Sequence, residues 1–234
     1  FLERNYSKIS ITGSGRLAFS NPHANGTFTI IRCSGDAIFN ATAPSITVAG
    51  MGSIGGVEGA VSSDGENIYL TGTKTDGGNK GSGNSGATGG AGGTAGTAIT
   101  WVVTPIGGIR RVFCGSGGGE GSSPGVQGGD GGRGGGALIM EIAGTLTFTT
   151  TDGIDVSGDN GTVAGAPPAA SGGVGGGGGG SSGSALILYN FGTPTGTVKA
   201  DGGNGSDASV AGSDSGVDTG GHGGGAGGAS TVAG

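Results

Sequence analysis

The sequence predicts an all-β protein in which repeated strand pairs, as a β-sandwich or as β-solenoid-like layers, are combined with a bundle of polyglycine-II helices. Three observations predict it. Of the 234 residues, 65 are glycine, short apolar segments alternate with polar residues in steps of two, and glycines recur in steps of three. No stretch has a helical period, and glycine costs about 1 kcal/mol per helical position. We therefore expect no α-helix.

Period-two alternation places the strands. In residues 145–149, Leu146 and Phe148 face one side and threonines face the other. The same alternation occurs in residues 8–12, 45–49 and 153–157. The runs 137–142 and 185–188 are more continuously apolar than the alternating strands, which is typical of strands buried on both faces. Residues 1–12 also alternate, and we expect them to add as a strand to an open sheet edge, in this molecule or in a neighbouring copy.

The strand pairs repeat along the chain. Residues 137–161 and 185–205 both begin with Ala-Leu-Ile, reach a glycine seven residues after the alanine, and end in Asn-Gly after a short strand. More distant copies cover residues 98–115 and 27–52. We divide the chain into an N-terminal β region, 1–70, and a glycine-rich repeat region, 71–234. In the second region, strand pairs near 98–114, 137–157 and 185–200 alternate with glycine tracts at 77–96, 115–136, 172–183 and 202–228.

The glycine tracts have a period of three. One row contains Gly125, Gly128, Gly131 and Gly134, and a second row contains Gly129, Gly132 and Gly135. Three residues per turn is the repeat of a polyproline-II-type helix, whose free N–H and C=O groups can bond neighbouring chains. Flexible Gly/Ser linkers are the alternative. The regular phase and the four recurrences favour an ordered bundle.

The four tracts at 77–96, 115–136, 172–183 and 202–228 resemble the tip adhesins of T-even-like phage tail fibres. That resemblance implies a sandwich of polyglycine-II helices with loops that recognise receptors on a bacterial surface. The repeated strand unit is more similar to glycine-rich bacterial or archaeal surface and appendage proteins built of β-repeats. The glycine content is also similar to that of glycine-rich insect antifreeze proteins, which are polyglycine-II bundles as well.

The sequence contains no catalytic, cofactor-binding or metal-binding pattern. His23 lies in a turn sequence, and His222 lies inside a glycine tract, so we interpret both as surface residues. Asp214 and Asp218 lack the apolar surroundings that would separate their pKa values for acid–base work. The G-x-G-x-x-G-like string at 131–136 is expected by chance in such a chain, and no predicted helix follows it. We therefore predict that the protein is not an enzyme and needs no cofactor.

Two kinds of covalent site are candidates. A disulfide between Cys33 and Cys114 would close a long loop and contribute about 4 kcal/mol, while the alternative is two buried apolar thiols. The chain also has five N-x-S/T sequons, which would be surface glycosylation sites on an extracellular protein. Their asparagines are Asn5, Asn25, Asn40, Asn160 and Asn204.

Charge and hydropathy restrict the partners. The net charge is −6, with 10 basic and 16 acidic residues, so we expect no nucleic-acid partner. No apolar run approaches the roughly 18 residues of a membrane span. We expect a structural protein, a self-assembling subunit of an extracellular filament or surface appendage, whose partners are copies of itself. A phage-type tail-fibre tip adhesin that binds a bacterial surface receptor is the alternative, and an ice-binding protein is the third hypothesis.

Overall fold

The computed structural model describes residues 1–56, 68–70, 73–75, 112, 114–121, 128–162 and 175–206. This part of the chain contains strands and no helix, which confirms the all-β prediction for the described residues. The strands are β1 (Leu2–Tyr6), β2 (Ile9–Gly13), β3 (Leu17–Ala18), β4 (Phe28–Cys33), β5 (Ala37–Ala41), β6 (Ile46–Thr47), β7 (Ile68–Leu70), β8 (Thr73–Thr75), β9 (Ala137–Phe148), β10 (Ile154–Asp155), β11 (Ser184–Phe191) and β12 (Val198–Lys199).

The larger sheet is parallel and is built around β9, the longest strand. The first half of β9 pairs with β4 on one side and with β11 on the other, and its second half pairs with β5. Beyond β4 and β5, β1 and β2 continue the sheet. Because neighbouring strands are parallel and the sheet is curled, the arrangement is not a clear β-sandwich.

The smaller sheet repeats the order of the larger one. Its four short parallel strands follow the order β12, β10, β6 and β3. Each of four chain segments therefore supplies one or two strands to the larger sheet and one short strand to the smaller sheet. We call these segments unit 1 (residues 1–18), unit 2 (28–56), unit 3 (137–162) and unit 4 (184–206). Strands β7 and β8 form a separate antiparallel pair.

Side chains from both sheets form one buried cluster. Alternation places Leu146 and Phe148 of β9 inside, as predicted, and the Phe148 ring meets the edge of Phe39 with centroids 6.2 Å apart. The apolar positions predicted in residues 45–49 and 153–157 are also fully buried. The prediction for residues 185–188 is wrong at its end. The side chain of Leu188 is 42% exposed, because its face of β11 is not covered there.

Backbone hydrogen bonds join the glycine-rich segments to one another. Between residues 114–121 and 128–136, the N–H groups of Gly115, Gly118 and Gly121 donate to the carbonyls of Gly135, Gly132 and Gly129. Each step is three residues along both segments. We use the name glycine network for the segments that share such bonds, namely residues 50–56, 114–121, 128–136, 156–162, 175–183 and 201–206.

Segment 128–136 illustrates how the network is ordered. The N–H groups of residues 129, 132 and 135 point to segment 175–183, whereas those of residues 131 and 134 point to segment 50–56. The carbonyls of residues 130 and 133 accept bonds from segment 156–162. Along this segment, equivalent backbone groups three residues apart therefore bond to the same neighbouring segment. Residues 175–183 are buried throughout, with bonded neighbours in four other segments.

Several sequence predictions concern residues that the structure leaves undescribed. The tract at 77–96 and nearly all of the strand pair near 98–114 are among them, as is the tract at 202–228 beyond residue 206. Strands from both predicted regions of the chain take part in the same two sheets, because β4 and β5 bond to β9 and β6 bonds to β10.

Candidate functional site

The histidine and aspartate residues considered above for chemistry are exposed or lie outside the described residues. Within them, no group of three or more His, Cys, Asp or Glu side chains could hold a metal ion. His23 is exposed, and its Nδ1 accepts a hydrogen bond from the backbone N–H of Asn25 at 3.2 Å. His222, Asp214 and Asp218 lie outside the described residues. The candidate functional features of the described residues are the glycine network and the two ends of the stack of units.

The glycine network depends on backbones that approach more closely than any side chain allows. A Cβ added to Gly134 would overlap the carbonyl group of Gly115, and one added to Gly52 would lie 2.5 Å from the carbonyl carbon of Gly134. In both cases the obstructing atoms belong to the backbone, so no flexible side chain can move aside. These glycines are required by contact with neighbouring segments.

The side chain of Arg133, in segment 128–136, donates hydrogen bonds to the loop before β4 and to segment 50–56. Its Nε donates to the carbonyl of Gly50 at 3.2 Å, and its Nη2 donates to the carbonyls of Gly52 at 3.1 Å and His23 at 2.9 Å. Burial lowers the pKa of the Arg133 guanidinium, and the negative charge of Asp159 opposes that change. Arg133 therefore fixes the loop before β4 and the start of segment 50–56 against segment 128–136.

Asp159 lies beside the same junction. Although the residue as a whole is exposed, its carboxylate occupies the space where a side chain at position 50 would be. Gly50 also has a φ of +64°, which favours glycine for a second reason. Partial burial raises the pKa of the Asp159 carboxyl, and this outweighs the opposite effect of Arg133.

The two cysteines are free, buried thiols near opposite ends of β4. The Sγ of Cys33, the last residue of β4, contacts the carbonyl of Gly35 at 3.4 Å, whereas the Sγ of Cys114 contacts that of Thr27 at 3.5 Å. At about 3.3 Å per residue, the length of β4 separates them by roughly 16 Å. A disulfide needs Cα atoms within about 7 Å, so the disulfide does not fit this fold, whereas the alternative of two buried thiols does. Burial raises the pKa of the Cys114 thiol to about 12.

The five sequon asparagines are all exposed. Asn5 and Asn40 lie in β1 and β5, and Asn25 lies in the loop before β4. Asn160 and Asn204 occupy matching places in units 3 and 4, where the Asn160 Oδ1 accepts the backbone N–H of Asn204 at 2.8 Å. Their glycosylation stays a prediction.

The stack of units ends in two unlike sheet edges. Among the described strands, β1 pairs only with β4, and β11 pairs only with β9. Strand β11 exposes large apolar side chains, since Leu188 is 42% exposed and Phe191 is 65% exposed. Strand β1 exposes Glu3 and Arg4, and Phe1, which precedes it, is 96% exposed. The β1 edge therefore carries charges beside an aromatic ring, whereas the exposed large side chains of the β11 edge are apolar. The predicted edge strand in residues 1–12 is present as β1 and β2 and pairs within this molecule.

A row of side chains crosses the outer face of the larger sheet from one edge to the other. Register places Asn5, Arg32, Glu141 and Leu188 side by side on β1, β4, β9 and β11. Arg32 bonds to Glu3 and also to Glu141, the latter with Nε 2.7 Å from Oε2. Both carboxylates raise the pKa of Arg32. The polar row ends at the apolar Leu188 on the β11 edge.

Charge is distributed unevenly along the stack. Unit 1 carries three basic side chains and one acidic side chain, whereas units 3 and 4 together carry five acidic side chains and one basic side chain. The basic residues of unit 1 are Arg4, Lys8 and Arg16. Because the units are stacked in sequence order, the β1 end is basic and the half of the stack towards β11 is acidic. Counting charges along the chain could have found this polarity, but only once the stacking order was known.

Comparisons of the chain with protein-family models, curated proteins and solved structures found no match. No residue role is therefore carried over from another protein. The described residues include no helix with the length and apolar character needed to span a membrane.

Proposed function

We propose that the chain is a non-enzymatic structural protein that assembles with copies of itself into an extracellular filament or surface appendage. The observation that carries this proposal is the stacking of four units in the same order in both sheets, with unlike edges at β1 and β11. Sheet edges are templates for pairing with another chain. A contact between two different edges is head to tail, and such contacts produce filaments when the rotation between copies does not close a ring.

We also infer that the glycine network is a bundle of polyglycine-II helices beside β-solenoid-like layers. Hydrogen bonds in steps of three support this, because a helix with three residues per turn presents the same row at every third residue. The buried glycines of segment 175–183 support it further, since a flexible linker would not keep bonded neighbours on several sides. Such a network gives the subunit a rigid body that contains little side-chain volume.

An extracellular location fits the exposed surface of the subunit. All five sequon asparagines are accessible, so glycans could attach without disturbing the cluster between the sheets. The two cysteines are not exposed, so the surface offers no described thiol for unwanted cross-linking between copies.

Sedimentation velocity and negative-stain electron microscopy of the purified full-length chain over a dilution series test the proposed function. We expect species that grow with concentration and long, unbranched filaments of uniform width. A chain that remains monomeric at every concentration, with only discrete small particles on the grid, would contradict filament formation.

The tip-adhesin alternative is favoured by one observation, the 65% exposed ring of Phe191 at the end of β11. Exposed aromatic side chains are typical anchors in recognition surfaces. Monomeric particles that bind intact bacterial cells, with binding lost on Phe191→Ala, would support an adhesin in place of a filament subunit.

A further inference from the structure

We infer that successive copies join by parallel pairing of β11 of one copy with β1 of the next, in the register that already relates the four units. This inference rests on the proposed function, because it requires self-assembly. At each of the two edges, the partner is another copy of this chain.

The register follows from rows that cross the larger sheet. One row runs through Leu2, Thr29, Leu138 and Ala185, with one residue from each unit. A parallel row through Asn5, Arg32, Glu141 and Leu188 lies three residues further along each strand. Continuing both rows across a join places Ala185 opposite Leu2 of the next copy, and Leu188 opposite its Asn5.

Burial of exposed apolar surface favours this join. Leu188 and Phe191 are the large apolar side chains that β11 leaves exposed, at 42% and 65%. In the continued register, β1 of the next copy would flank Leu188 on the side that is open at the β11 edge, with its Asn5 as the neighbouring side chain. Apolar area removed from water contributes about 25 cal/mol per Å², so exposed side chains of this size favour a partner strand.

Charge complementarity decides between the ways in which two edges could meet. A head-to-tail join brings the basic unit 1 next to unit 4, which carries only Lys199 and Asp201, with the four acidic side chains of unit 3 one strand behind it. Joining β11 to β11 would place two acidic third units on either side of the join, and joining β1 to β1 would bring two basic units together. Opposite potentials favour encounter, and like charges disfavour the wrong partner. The charge distribution therefore selects a head-to-tail contact.

Cysteine cross-linking of the full chain tests the join. The test protein carries Asn5→Cys together with Leu188→Cys, two exposed positions on the same outer face of the sheet. The native thiols of Cys33 and Cys114 are buried and do not compete. After assembly and mild oxidation, we expect a ladder of covalent multimers on a non-reducing denaturing gel. Each single variant should give no ladder.

A matched control uses Arg4→Cys with Leu188→Cys. Arg4 is adjacent to Asn5 in β1, but successive residues of a strand point to opposite faces, so this pair should cross-link far less. Circular dichroism of each variant checks that the sheets are retained. A β11-to-β11 join would appear as a covalent dimer of the Leu188→Cys single variant and would overturn the inference.

The outcomes separate this inference from the proposed function. Filaments that form without a ladder in the Asn5→Cys/Leu188→Cys protein would overturn the join and leave the filament function standing. Absence of any assembly in the unmodified protein would overturn both.

Discussion

Two neighbouring regions of this molecule are stabilised in different ways. The cluster between the sheets consists of large side chains, among them the fully buried Phe39, Phe148 and Ile154. The centre of the glycine network, segment 175–183, is also buried, but it is held by backbone hydrogen bonds between segments with few buried side chains. Large apolar side chains exclude water from the cluster, whereas close packing of backbone segments excludes water from the network.

This difference indicates what each region tolerates. A side-chain core accepts swaps that conserve volume and loses stability when volume is removed. In the network, ordering glycine costs more conformational entropy than ordering any other residue. Backbone bonds, each contributing about 0.5–1.5 kcal/mol, offset that cost. We therefore expect the network to be damaged by added volume and the cluster to be damaged by lost volume.

Phe148→Ala is expected to have the largest effect, because it removes a ring from the centre of the cluster. The substitution leaves a cavity and deletes the edge contact with Phe39. Loss of a buried phenylalanine typically costs about 3–5 kcal/mol of the free energy of unfolding. Urea denaturation followed by circular dichroism measures it. Leu188→Ala, at an exposed site of the same sheet, is the control and should change stability by under about 0.5 kcal/mol. Similar losses in both variants would mean that the cluster is not the core.

Gly134→Ala tests the opposite sensitivity, since it adds one methyl group to the network. The new Cβ would overlap the carbonyl of Gly115, so backbone must shift. Overpacking of this kind costs about 1–3 kcal/mol, and the same denaturation experiment measures it. Gly13→Asn is the control, because position 13 has open space and a φ of +63° that asparagine tolerates. If Gly134→Ala were as stable as this control, close backbone packing would not stabilise the network.

Periodicity in the sequence identified residues of the cluster and of the network, but it did not identify which strands pair. Period-two alternation identified Leu146 and Phe148 as buried, and the period of three identified glycine rows that include Gly131 and Gly134. Local periodicity did not reveal that the strands of unit 1 belong to the same two sheets as those of units 2 to 4. It also could not show that β4 pairs with a strand 109 residues later, because many segments share the same alternation and only packing across the sheet selects a partner.

The functional surfaces were harder to predict than the fold. The open edge near Phe1 was expected, but the exposed edge at β11 was not, because a run such as Ala185–Leu188 is equally typical of a central strand. The sequence left open whether the cysteines are bonded or are two buried thiols, because loop-closure entropy says nothing about where two thiols lie in a fold. Arg133 carried no motif, and its three carbonyl partners belong to loops that only the tertiary structure brings together.

The smallest expected effect concerns the junction where the network meets the sheets. Burial raises the pKa of Asp159 above its value in the unfolded chain, so the folded protein binds a proton there more readily. Stability from this group is therefore greatest below the unfolded pKa of about 3.9, and it is lost as pH rises towards the higher folded pKa.

Asp159→Asn removes this titration, and its pH profile isolates the contribution of the carboxyl. Urea denaturation at a series of pH values is expected to show the variant gaining stability relative to the unmodified protein as pH rises through that window. Asp152→Asn, at an exposed turn position, should leave the decline caused by Asp159 in place. Parallel profiles for Asp159→Asn and the unmodified protein would mean that the Asp159 carboxylate is as well solvated in the fold as in the unfolded chain. Water would then reach the Asp159 carboxylate as freely as it reaches an exposed side chain on the surface.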